Sequence, residues 1–87
     1  MNKSNLNDLI ETDLQVLERI GRNVKYLREK MNLSQKDLAE EVGLARQTIL
    51  HIEKGNLECS VTYFLKLARA LKVDPNDLAY REYYKSV

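Results

Sequence analysis

Leu33–Gly55, LSQKDLAEEVGLARQTILHIEKG, reads as two short helices joined by a tight turn. Ser34 stands as an N-cap, Asp37 three residues on completes a capping box, and Leu33 is spaced to staple onto Leu38. A helix therefore begins at Gln35. It buries Leu38, Ala39 and Val42 as its apolar stripe and ends at Gly43, where a residue without a Cβ takes left-handed backbone at little cost. A second helix follows from Arg46 to Lys54, closed by Gly55. At about 100° per residue, Thr48, Ile49, Ile52 and Glu53 share one face, and Arg46, Gln47, Leu50, His51 and Lys54 share the other.

That second face mixes long donors and acceptors with a leucine, and the apolar stripe of its own helix does not need it. Its chemistry suits base edges. Arg forks onto guanine O6 and N7, Gln onto adenine N6 and N7, and apolar atoms meet a thymine methyl. His51 carries ring nitrogens that donate or accept. Leu50 has two readings of equal weight, a thymine methyl contact or packing at the edge of the core.

Upstream, Thr12 with Gln15 forms a second capping box. Leu14, Leu17, Ile20, Val24, Leu27 and Met31 then recur every three or four residues, the stripe of one long amphipathic helix starting near Asp13. Gly21 interrupts it at a cost of about 1 kcal/mol relative to Ala. Leu6 and Ile10 continue the stripe backwards, so an earlier start and a separate short turn both remain open. Downstream, Asn56–Cys59 form a loop, and Ser60 caps a helix with Phe64, Leu65, Leu67, Ala68 and Leu71 as its apolar positions. Val73, Asp74, Pro75, Asp77 and Leu78 then supply a staple residue, an N-cap, proline at the first helical position, an acid and the second staple residue. A fifth helix starts there and is carried past Leu78 into AYREYYKS. No stretch alternates with period two long enough for a strand, so the fold class is all-α.

Eighty-seven residues fit one domain. The net charge of +1 is uneven: Lys3 faces Asp8, Glu11, Asp13 and Glu18 in the first eighteen residues, which leaves the remainder mildly basic. One cysteine and one histidine exclude an internal disulfide and a Cys/His zinc cluster, so no metal and no cofactor are expected. Cys59 is read as a buried residue opposite Phe64 rather than a reactive thiol. With no phosphate-cradling or metal-spaced motif, the chain is not expected to be an enzyme. No apolar run approaches the roughly 18 residues of a membrane span, and a cytoplasmic location is expected.

The central stretch resembles the helix-turn-helix of the Cro and phage-repressor type, the XRE-like transcriptional regulators. The resemblance rests on the spacing of Gln35, Ala39, Gly43, Ile49, Glu53 and Gly55 followed by LARAL. It extends from IGRNVKYLREK before to VTYFLKLARALKVDPNDL after, covering roughly residues 19–79. It implies a compact five-helix lambda-repressor-like fold for the domain at residues 13–79; residues 1–12 lie outside the resemblance as an N-terminal arm, and 80–87 form a C-terminal tail read as continuing the fifth helix. The family's base-reading positions map onto Ala45, Arg46, Gln47 and His51, and its phosphate contact onto Gln35. Lys36, Lys54 and Asn56 are further phosphate candidates from their chemistry alone. The family's ion pair maps onto Arg28 and Glu53.

Two departures stand out. Ala45 replaces the family's usual Ser or Thr cap, and the Asn56–Cys59 loop lacks the basic residues that grip the backbone in related phage repressors. The expected partner is double-stranded DNA, bound by a homodimer acting as a repressor on a near-palindromic operator, with Tyr80, Tyr83 and Tyr84 as candidate dimer contacts. The alternative is an antitoxin or other interaction module that neutralises a protein partner, a toxin or another regulator, through its acidic arm or tyrosine-rich tail and binds DNA for autoregulation.

Overall fold

The computed structural model describes residues 11–56 and 59–85. The expectations for the arm up to Ile10, for Leu57 and Glu58 in the loop and for the last two residues concern positions outside the described residues. Five helices are present among the described residues: α1 (Asp13–Lys30), α2 (Gln35–Val42), α3 (Arg46–Glu53), α4 (Val61–Ala70) and α5 (Pro75–Tyr80), followed by a 3-10 turn at Tyr83–Lys85.

Four of the five starts are written in local chemistry. The Thr12 hydroxyl accepts from the Gln15 backbone N–H at 3.2 Å while the Gln15 side chain accepts from the Thr12 N–H at 2.9 Å. Ser34 and Asp37 make the same reciprocal pair, both bonds at 3.0 Å. Ser60 accepts from the Tyr63 N–H at 3.2 Å, and Asp74 accepts from the Asn76 N–H at 2.8 Å ahead of Pro75. Each such cap satisfies a backbone donor that helix geometry leaves unpaired.

Helix α1 is the spine. It packs on α3, α5 and the 3-10 turn, while α2 packs on α3 and α4, and α4 on α5. One core joins Val24 and Leu27 of α1, Leu38, Ala39 and Val42 of α2, Ile49 and Ile52 of α3, Leu67, Ala68 and Ala70 of α4, Leu71, and Leu78 of α5. Each fully buried aliphatic side chain contributes about 1.5–3 kcal/mol by leaving water, so this cluster dominates the fold's stability.

Three expectations are corrected. Leu14 belongs to the periodic stripe but is 59% exposed, because it lies in the first turn of α1, to one side of the Val24–Leu27 face. Leu65 is 48% exposed, since two positions before the buried Leu67 is the far side of a helix. The fifth helix does not continue into the tail: it ends at Tyr80, and Arg81 is extended (φ −79°, ψ 148°). The cause is Asn23. This fully buried side chain of α1 donates to the carbonyls of Leu78 at 2.8 Å and Arg81 at 2.6 Å and accepts from the Tyr83 N–H at 2.9 Å. It thereby occupies backbone groups that a longer helix would have paired internally.

Candidate nucleic-acid interface

Helix α3 is held from behind. Ile49 and Ile52 are buried in the core between α1 and α2, and Thr48 is half-buried beside them. On the other side Arg46, Gln47 and Lys54 are exposed, with Leu50 and His51 half-buried. The structure therefore gathers Arg46, Gln47, Leu50 and His51 on one outward surface. Helical geometry ends at Glu53 with Lys54 as C-cap, and Gly55 takes the left-handed backbone (φ 73°) that turns the chain away.

The turn before it follows from two residues. Gly43 is left-handed at φ 77°, and the Leu44 N–H closes on the Ala39 carbonyl at 2.9 Å. Ala45 is the N-cap residue of α3 and makes no side-chain cap bond. Its carbonyl accepts from the Thr48 N–H at 3.0 Å, and its exposed methyl lies at the leading edge of the helix.

A polar knot fixes the other end of α3. Arg28 Nε donates to Glu53 Oε2 at 2.6 Å, Nη2 to Oε1 at 3.1 Å, and Nη1 to the Leu33 carbonyl at 2.8 Å. Gln35 Nε2 donates to the same carboxylate at 3.1 Å. Both charged side chains are buried, 9% and 4% exposed, and the hydrogen bond to Glu53 raises the Arg28 pKa above its ordinary value. The end of α1, the start of α2 and the last turn of α3 thus meet at one carboxylate. A buried pair of this kind is justified by geometry rather than by large net stability.

Gln35, at the first position of α2, is half-buried with its amide nitrogen on Glu53. Lys36, Lys54 and Asn56 are exposed, and the Asn56 N–H closes on the His51 carbonyl at 3.0 Å. Because Gln35 touches Glu53, the start of α2 and the end of α3 are neighbours, which puts these four residues at the margins of one surface.

The tyrosines lie elsewhere. Tyr84 sits under the Arg22 guanidinium (5.5 Å to the ring centroid), and Tyr83 packs against the core with Arg81 over its ring at 4.8 Å. Tyr80 is 68% exposed beside Arg19 (5.6 Å), whose guanidinium also reaches Glu11 and the Ala79 carbonyl. Cys59 is half-buried beside Phe64 on the wall of an apolar hollow of about 320 Å³ between α1 and α4, and burial pushes its thiol pKa up. Among the described residues no group of three His, Cys, Asp or Glu side chains is placed to hold a metal, and no helix is long and apolar enough to cross a membrane.

Reading the chain alone misses Asn23, a polar side chain beside the stripe residues Val24 and Leu27, and that misfit is the signal of its structural bond. For Gln35 it does not foresee the side-chain bond to Glu53.

A capped helix, a left-handed glycine and a second helix presenting a polar face from a five-helix core define a helix-turn-helix DNA-binding domain. Residues 24–78 match the helix-turn-helix family HTH_3, and the chain belongs to that family of XRE/Cro-C1 type transcriptional regulators. An uncharacterized HTH-type transcriptional regulator of Methanocaldococcus jannaschii is 42% identical over 55 residues, spanning 63% of this chain and 83% of that protein. Control protein C.BamHI of Bacillus amyloliquefaciens is 41% identical over 59 residues, 67% of this chain and 73% of that one. Among solved structures, the restriction-modification controller protein C.AhdI from Aeromonas hydrophila superposes with a TM-score of 0.68 at 37% identity, covering 71% of this chain and 94% of that one. The protein is an HTH-type DNA-binding transcriptional regulator, and its family is non-enzymatic.

Proposed function

We propose that this regulator reads a specific operator as a homodimer, each protomer laying α3 in the major groove, the two grooves about 34–36 Å apart on a near-palindromic site. The observation that carries this reading is the single outward surface of Arg46, Gln47, Leu50 and His51 on a helix whose opposite side is anchored by Ile49 and Ile52. Arg46 and Gln47 supply forked contacts to purine edges, and Ala45 and Leu50 meet thymine methyls. The first turn of α2 at Gln35, with Lys36, Lys54 and Asn56, grips phosphates and sets the register. Promoter occupancy then represses transcription. The similarity to two proteins named as controllers supports a control protein of this class.

Dimerisation is argued from the exposed apolar residues Val61 (75% exposed) and Leu65 on α4, with Tyr80 open on another face. Selection from randomised duplexes at ~0.1 M salt, followed by sedimentation of the complex, tests the reading. Enrichment of a two-fold symmetric motif bound by two protomers is expected. Uniform binding of all duplexes by the folded protein would sink it.

A further inference from the structure

Gly21 sits in the middle of α1, where an alanine would make the better helix, and it faces the last turn of α3. A Cβ built on it would meet the Ile52 carbonyl oxygen at 2.4 Å, the Glu53 carbonyl oxygen at 2.7 Å and the Glu53 carbonyl carbon at 2.9 Å. These are backbone atoms of α3, so no side chain can swing aside to make room. On the partner side Gly55, at φ 73°, lies where a Cβ would come within 3.1 Å of the Glu18 Cα, one turn earlier on α1. Two glycines therefore line the place where α1 crosses the end of α3. Two turns further along the same face of α1, Arg28 holds the Glu53 side chain. One helix thus grips the end of α3 twice, by backbone contact and by charge.

We infer that Gly21 is the positioning residue for the reading helix: its missing side chain sets how deep the end of α3 is seated against α1, and so how its outward face meets a groove. This rests on the reading of α3 as the base-contacting helix. Carbon meets a carbonyl oxygen comfortably at ~3.3 Å, so an added methyl would push the two helices apart by about 0.9 Å. Forked contacts to bases tolerate only about 0.5 Å of misplacement. Phosphate contacts, which depend on charge rather than on a fixed fork, tolerate the shift far better.

The test compares Gly21→Ala, Gly55→Asn and Leu78→Ala with the unaltered protein. Asn accepts left-handed backbone, so Gly55→Asn applies a gentler push at the same crossing. Leu78→Ala weakens the core at α5, away from α3. Each is melted by circular dichroism and then titrated, at temperatures where it is folded, with the duplex enriched by selection and with a scrambled duplex at ~0.1 M salt. The readout is the ratio of the two affinities, which a general loss of stability does not change.

Gly21→Ala is expected to lower the ratio about tenfold or more with scrambled-duplex binding retained, Gly55→Asn to lower it less, and Leu78→Ala to leave it unchanged. Should Gly21→Ala fail to fold, Gly55→Asn decides alone. Folded glycine variants with an unaltered ratio overturn the inference, as does a ratio that falls equally in Leu78→Ala. If the unaltered protein itself does not discriminate between duplexes, the base-reading assignment fails instead, and that arm identifies it.

Discussion

Helices α2 and α3 are each eight residues long and pack against each other, yet they begin in opposite ways. At the start of α2 a serine and an aspartate exchange two bonds with the backbone, so that helix is specified before any tertiary contact forms. Helix α3 starts at Ala45 with no side-chain cap and keeps its form because Ile49 and Ile52 are buried and Glu53 is held by Arg28 and Gln35. Helix α2 is locally encoded, and α3 is held by its buried side and its far end, which leaves the leading turn of α3 without a side-chain cap.

The comparison breaks most visibly at the knot. Arg28→Ala strands the Glu53 carboxylate in the interior and is expected to cost about 3–5 kcal/mol in urea denaturation. Replacing both partners by apolar residues, Arg28→Met with Glu53→Leu, should recover most of that loss. A double variant as unstable as the single one would show that α3 depends on the charge pair itself rather than on filled space. Next in size is Arg46→Ala: its thermal midpoint should stay within the scatter of surface changes, while discrimination at one base position of the selected duplex falls by about 1–3 kcal/mol.

The two helix starts offer opposite signs. Ser34→Ala removes the cap of α2 and should cost about 1 kcal/mol, whereas Ala45→Ser adds one to α3 and should gain roughly 0.5–1 kcal/mol in the absence of DNA. Equal losses from both would erase the distinction between them. The smallest effect is acid dependence. Bonds from the Ser34 backbone N–H and hydroxyl lower the Asp37 pKa below its ordinary value, so the carboxylate stabilises the fold above the unfolded-state pKa, and that contribution disappears as pH falls through the folded one. The difference in melting temperature between the protein and Asp37→Asn should therefore be largest near neutrality and close as the solution is acidified.

Much of the architecture was legible along the chain because helix starts are local events. Thr12 with Gln15, Ser34 with Asp37, Ser60, and Asp74 before Pro75 each cap the helix their spacing announces. The outward face of α3 was legible for the same reason, since helical periodicity alone sorts Ile49 and Ile52 from Arg46 and Gln47. Exposure at the margins was not legible. Leu14 fits an apolar pattern that shows which side of a helix is greasy but not where a neighbouring helix begins or stops, whereas Leu65 lies on the far side of α4, where periodicity itself sets it apart from Leu67.

Caps, glycines and periodicity act over a few residues, so the chain alone dictates one long helix followed by short ones, with a turn at Gly43 and a polar face on the helix after it. Only the tertiary structure decided how those pieces are held. Asn23 stops α5 at Tyr80, Gln35 turns its amide onto Glu53, and Gly21 admits the end of α3, because each depends on backbone or carboxylate groups at least eighteen residues away in the chain that approach only when the helices pack.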